Sequence, residues 1–182
     1  EQTLRNSPLL EAYAKKEIEV LIMDDEIDEI VIPSVGTYKE TELKAVNRSD
    51  AGEDLQDESD KNKEKELKPV VEIIKKALGD RVKDVRVSVR LADSPSCIVV
   101  DETDPTLKMQ EMMKALGQTD LPDVKPILEI NPNHEIVTRL AEVKDDEFAA
   151  DVAFLLLDQA LLVEGAPVPE PAEFVKRLNR VV

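Results

Sequence analysis

A small, mainly antiparallel sheet covered by helices, an α+β fold, is what three features of this sequence predict. A chain of 182 residues with 42% hydrophobic residues has the length and composition of one or two globular cores. Between Val85 and Leu91 apolar and polar residues alternate, which is the pattern of a half-buried strand. Phe148 to Val163, FAADVAFLLLDQALLV, is apolar nearly all round a helix, with Asp151, Asp158 and Gln159 on one narrow ridge.

The elements follow in order. Ser7-Pro8 reads as an N-cap and first helical residue, opening a short helix through Ala14. Ile18 to Met23, IEVLIM, reads as a buried strand. Asp24 or Asp25 then caps a helix with Ile27, Ile30 and Val31 inward, so residues 1–48 form an α-β-α segment. Tyr38 to Val46 adds an extended piece. Charged residues crowd Asn47 to Lys68, and residues 49–68 are expected to be a mobile junction from which a helix emerges, running through Val70 and Ile74 to Gly79. Residues 69–182 are the second domain, with strands at Val85–Leu91, Cys97–Val100 and Ile127–Ile130. Between the last two lies a helix from Pro105 to Leu116, with Asp104 as its N-cap and Gly117 past its end. Asn131 or Asn133 caps a helix from His134 to Glu142, the apolar helix follows, and Pro167, Pro169 and Pro171 form a hinge to the last helix.

Charge narrows the function. The 40 acidic against 24 basic residues leave a net charge of -16, which repels phosphate backbones and anionic membranes, so neither nucleic acid nor a membrane is an expected partner. No run is apolar and long enough to span a bilayer, and a lone Cys97 in an apolar run fits a buried side chain in a reducing, cytoplasmic setting. With no initiator Met, the chain reads as a soluble piece of something longer. The glycines are isolated, so no phosphate-binding loop can be assembled. No catalytic residue and no metal ligand set is expected. Asp24-Asp25-Glu26 with Asp28-Glu29, and Asp101-Glu102 with Asp104, read as caps and solvated faces, the alternative being a carboxylate enzyme that uses a divalent metal. His134 reads as a first-turn structural residue.

Two faces invite partners. On the Pro105–Leu116 helix, Met109, Met112, Met113 and Leu116 share one arc while Leu107 points away. That arc is either core or a pliant surface for varied apolar partners. The last helix carries the stripe Phe174, Val175, Leu178, Val181 and Val182, with Lys176, Arg177 and Arg180 turned outward. Together with the apolar helix before it, this is more apolar surface than one chain covers, and a two-fold pair would make a four-helix bundle. An unrelated dimeric interaction module would fit the same pattern.

The order of pieces resembles a known family. SPLLEAYAKKEIEVLIMDDEIDE resembles the end of the middle domain of the ninety-kilodalton heat-shock chaperones, and LGDRVKDVRVSVRLADSP, ILEINPNH and LLLDQALL resemble their C-terminal dimerisation domain. The likeness spans the whole chain and is nearest the bacterial type, high-temperature protein G. It implies an ATP-driven chaperone whose ATP and Mg site lies in an N-terminal domain outside this sequence, leaving this piece without cofactor or catalysis. It implies a homodimer, with Phe154, Leu155, Leu161, Leu162, Phe174, Val175, Leu178 and Val181 in or beside a dimeric four-helix bundle. It also implies that Met109, Met112, Met113 and Leu116 contact non-native client proteins. The chain ends at Arg180-Val181-Val182 without the MEEVD tail of eukaryotic members, so recruitment of tetratricopeptide co-chaperones is not expected.

Overall fold

The computed structural model describes residues 2–25, 27–118 and 123–181. Its centre is a three-stranded sheet of β3 (Asp84–Val87), β4 (Ser96–Val99) and β5 (Ile127–Ile130), preceded in the chain by a short hairpin of β1 (Thr37–Tyr38) and β2 (Thr41–Glu42). The order is β3-β5-β4, and β5, last in sequence, lies in the middle. β4 pairs with β5 antiparallel, as expected, whereas β3 pairs with it parallel, so the sheet is mixed. The reason is spatial: β5 enters between its two predecessors and can match the direction of only one.

Register assigns the two faces. Val85, Leu128 and Ile98 lie in one row, and with Ile130 they pack under helices α5 (Lys68–Leu78) and α8 (Asp146–Glu164). Val70, Ile74 and Leu78 from α5 and Val152, Leu156 and Ala160 from α8 complete this core. Each Val, Leu or Ile side chain so withdrawn from water contributes about 1.5–3 kcal/mol. α8 starts on Asp145, whose carboxylate accepts from the Glu147 and Phe148 amides, and stops at Gly165 in the left-handed region, φ 83°.

Helices on one face alone were expected; the opposite face is covered too. Cys97, Val99, Ile127 and Leu91 bury against Leu9, with Val46 beside them. Leu9 sits in a 3-10 turn, Pro8–Leu10, that Ser7 caps and that leads into α2 (Glu11–Lys15), after a first turn of helix at α1 (Gln2–Arg5). The opening helix near Ser7 is thus present.

The strand expected at Ile18–Met23 is absent. That run pairs with no other strand, and Leu21 is 68% exposed, with Ile18 and Met23 exposed as well. A strand needs a neighbouring edge, and none of the described residues supplies one. The helix after it, α3 (Asp28–Val35), begins later than expected and has no side-chain cap, and Ile27, Ile30 and Val31 face outward. The single helix expected up to Gly79 is two, α4 (Glu58–Glu66) and α5, separated at Leu67 where Pro69 opens the second.

The supposedly mobile start of the junction is fastened to the sheet. The Ser49 amide donates to the Val100 carbonyl at 2.9 Å, and Val100 N donates to Asn47 O at 3.0 Å. Tyr13 Oη donates to Ala51 O at 2.7 Å. Beyond β4, α6 (Leu107–Ala115) takes Thr106 as its N-cap instead of Asp104, because the Thr106 hydroxyl accepts from Met109 N at 3.0 Å. His134 itself, through Nδ1, caps α7 (Glu135–Leu140), while Asn131 holds the Ala92 and Ser94 carbonyls. The last helix is α9 (Pro171–Val181).

Candidate functional site

The polar ridge of α8 is the key to how α9 sits. Asp151 and Asp158 are buried, and α9 meets them with arginines. Arg180 forks onto Asp151, Nε to Oδ2 at 2.6 Å and Nη2 to Oδ1 at 2.7 Å. Arg177 lies 4.1 Å from the centre of the Phe154 ring, with Nε 3.7 Å from Asp151 and Nη1 3.8 Å from Asp158. Arg81 stands over the same ring at 5.2 Å and bonds Glu170 at 2.5 Å. Burial pushes the Asp158 carboxyl up, and Arg177 and Arg81 oppose that shift.

Arg177 and Arg180 were expected to face outward; they turn inward because two buried carboxylates need counter-charge. The apolar stripe therefore stays partly unspent. Val175 is 51% and Leu178 42% exposed, and Leu162 and Val163 at the end of α8 are exposed as well. Phe174 and Val181 are half-buried, as is Phe154, while Leu155 and Leu161 are buried within the chain. Val182 lies outside the described residues.

The second surface is α6. Leu107 packs on the core, and the opposite arc places Met109, Met112 and Met113 half-buried and Leu116 75% exposed. Across from this arc stands α3, and the two helices wall an apolar cleft of about 810 Å³ lined by Glu29, Ile30 and Pro33 on one side and Met109, Gln110 and Met113 on the other. The Thr106 hydroxyl ties the walls by donating to Glu29 Oε2 at 2.8 Å.

The acidic clusters are occupied from within. Lys83 Nζ lies 3.0 Å from Asp101 and 2.8 Å from Asp104, and Thr103 donates its amide and hydroxyl to Asp101. These contacts hold the Asp101 carboxyl down at about 2. Asp28 Oδ2 accepts from the Asp25 amide, and Glu26 lies outside the described residues. Among the described residues no group of three His, Cys, Asp or Glu side chains is gathered for a metal ion, and no helix is long and apolar enough to cross a membrane. Burial pushes the Cys97 thiol well up.

Residues 1–182 match the family profile described as Hsp90 protein. The chain belongs to the Hsp90 family. Among its curated relatives, Chaperone protein HtpG of Treponema denticola is 56% identical over all of this chain, that of Treponema pallidum 50% over all of it, and that of Wolinella succinogenes 48% over 98%. The chain spans 29% of the length of each.

What sequence reasoning passed over in this Hsp90-family chain is the fastening between the sheet and the residues before it. Arg90, 1% exposed, bonds Glu129 at 2.9 Å and reaches the carbonyls of Val46 at 2.6 Å and Arg48 at 3.3 Å. Glu11 accepts from the amides of Ala92, Asp93 and Ser94 and from the Ser94 hydroxyl. Those bonds hold its carboxyl down against the opposing effect of burial. A signal did exist: Glu129 is the one charged residue in the apolar run ILEI, and a charge there calls for a buried partner.

Proposed function

We propose that this chain is the C-terminal dimerisation and client-contact portion of a cytoplasmic, ATP-dependent chaperone that binds and remodels non-native proteins. The observation that carries the reading is the facing of α9: its two arginines turn to α8, and Val175 and Leu178, with Leu162 and Val163, are left as an apolar surface. A second copy supplies the same surface by two-fold symmetry, and four helices enclose Phe154, Leu162, Phe174, Val175, Leu178 and Val181, with Leu155 and Leu161 beside them. A permanent dimer here raises the effective concentration of distant nucleotide-binding domains for each other. ATP and Mg belong to the parent protein beyond these residues, and this portion does mechanical work without cofactor or catalysis.

Client contact is assigned to Met109, Met112, Met113 and Leu116. Thioether side chains adapt to varied apolar segments, and Leu116 stands in solvent. The proposed division is 1–48 as the end of a middle domain, 49–68 as the junction and 69–182 as the dimerisation domain. Light scattering of the chain ended after Pro169 tests the dimer: a mass falling from two chains to one is expected. A truncated protein that stays dimeric overturns the reading.

A further inference from the structure

The way α9 is held raises a question of energetics. This helix has no buried residue among those described, so it is kept on α8 chiefly by arginines and by the half-buried Val181, which packs on the core. An amphipathic helix free to roll would turn its most apolar side inward, burying Val175 and Leu178 on its own chain. The side that does face α8 carries Arg177 and Arg180, both directed at Asp151, with Arg177 also facing Asp158. Rolling α9 would strip Asp151 of both its arginines and leave Asp158 facing Arg81 alone, which costs more than leaving two aliphatic side chains partly in water. The charges thus set the direction in which the stripe points.

Arg177 carries a second mark. Its side chain is 12% exposed, and its Nη1 is buried without a hydrogen-bond partner among the described residues, 3.8 Å from Asp158 Oδ2. The guanidinium stays there although one donor is unmet, held by the Phe154 ring and the two carboxylates.

We infer that Arg177 and Arg180, with Asp151 and Asp158, form a clasp that prevents α9 from burying its own apolar stripe and so keeps Val175 and Leu178 available to a second copy of this chain. This inference rests on the dimer proposed above. The clasp residues are positioning residues: they act through the facing of α9.

The test uses the full chain with Leu178→Cys as a reporter, since native Cys97 is buried and gives little background. At dilution, the labelling rate of the new thiol reads the facing of α9; without the reporter, sedimentation over a concentration series reads self-association. A neutral clasp (Asp151→Asn, Asp158→Asn, Arg177→Gln, Arg180→Gln) is expected to slow labelling at least threefold and weaken association at least tenfold with helical content unchanged. The pair Arg177→Lys and Arg180→Lys keeps the charges and is expected to stay within threefold of the unaltered chain in both. Unchanged labelling and association in the neutral variant overturn the inference. So does faster labelling, which would mean that the clasp merely attaches α9. Should the neutral variant lose its helices, the lysine pair decides: folded but no longer associating, it overturns the inference. If the unaltered chain is monomeric at every concentration, the dimer reading falls, and the labelling arm still judges the clasp.

Discussion

Arg90 Nε lies 2.9 Å from Glu129 Oε2, both side chains nearly out of solvent, on the sheet face opposite the α5–α8 core. Ser88 donates to the same carboxylate oxygen at 2.8 Å. One buried pair thus ties β5 to the loop after β3 and, through the Val46 and Arg48 carbonyls, to the segment that precedes them. Arg90→Met strands Glu129 with a partial set of donors and frees those carbonyls, so it is expected to cost about 3–5 kcal/mol. Urea unfolding of the variant against the unaltered chain measures it, and Glu129→Gln, which keeps an acceptor for Ser88, should cost less.

Gly52 shows how closely that segment approaches. A Cβ there would lie 2.8 Å from Arg90 Nη2 and 3.1 Å from Val89 Cγ2. The guanidinium cannot yield without lengthening its own bonds. Gly52→Ala is therefore expected to destabilise by about 1–3 kcal/mol, read as a lower urea midpoint at unchanged slope.

Acid behaviour follows from Lys83. The Asp101 carboxyl, ordinarily near 3.8, is held at about 2 by hydrogen bonds from Lys83 and Thr103. A carboxyl lowered on folding adds stability that is complete above its unfolded value and is lost as the pH falls through its folded one. Between about pH 4 and pH 2 the chain therefore loses this contribution. Lys83→Met should shift the Asp101 titration upward, toward the ordinary value, as followed by NMR, and should flatten the dependence of melting temperature on pH in that window.

On α6 the replacement of Met109, Met112 and Leu116 by Ser is expected to weaken suppression of client aggregation severalfold. Leu116 stands in solvent and the methionines are half-buried beside an open cleft, so the melting temperature should move little. A large drop in melting temperature would return this face to the core.

How much of this was legible depended on whether a residue's environment is local. β5 was placed to the residue because ILEI lies between turn-forming neighbours, and α6 and α8 to within about two residues because an apolar wheel is a local signal. IEVLIM reads as a strand by composition, but pairing requires an edge from elsewhere, which wheel and period cannot report. The inward turn of Arg177 and Arg180 was likewise hidden. Their apolar neighbours suggested the buried side, and only the positions of Asp151 and Asp158 on another helix reverse that choice. On the two proposed surfaces the sequence shows which residues share one face of a helix, whereas the α3 wall of the cleft was hidden, since it joins residues more than seventy positions apart.

The placement of β5 has a consequence for how such a chain is born. The strand that mates with both β3 and β4 is the last of the three to be synthesised, so for roughly forty residues of elongation the first strand has no companion. Through that interval β3 and, once it is made, β4 with its Cys97-Ile98-Val99 run present open backbone edges to whatever else is being made nearby. A nascent chain of this kind has to pass through a sticky stage of its own before Ile130 leaves the ribosome.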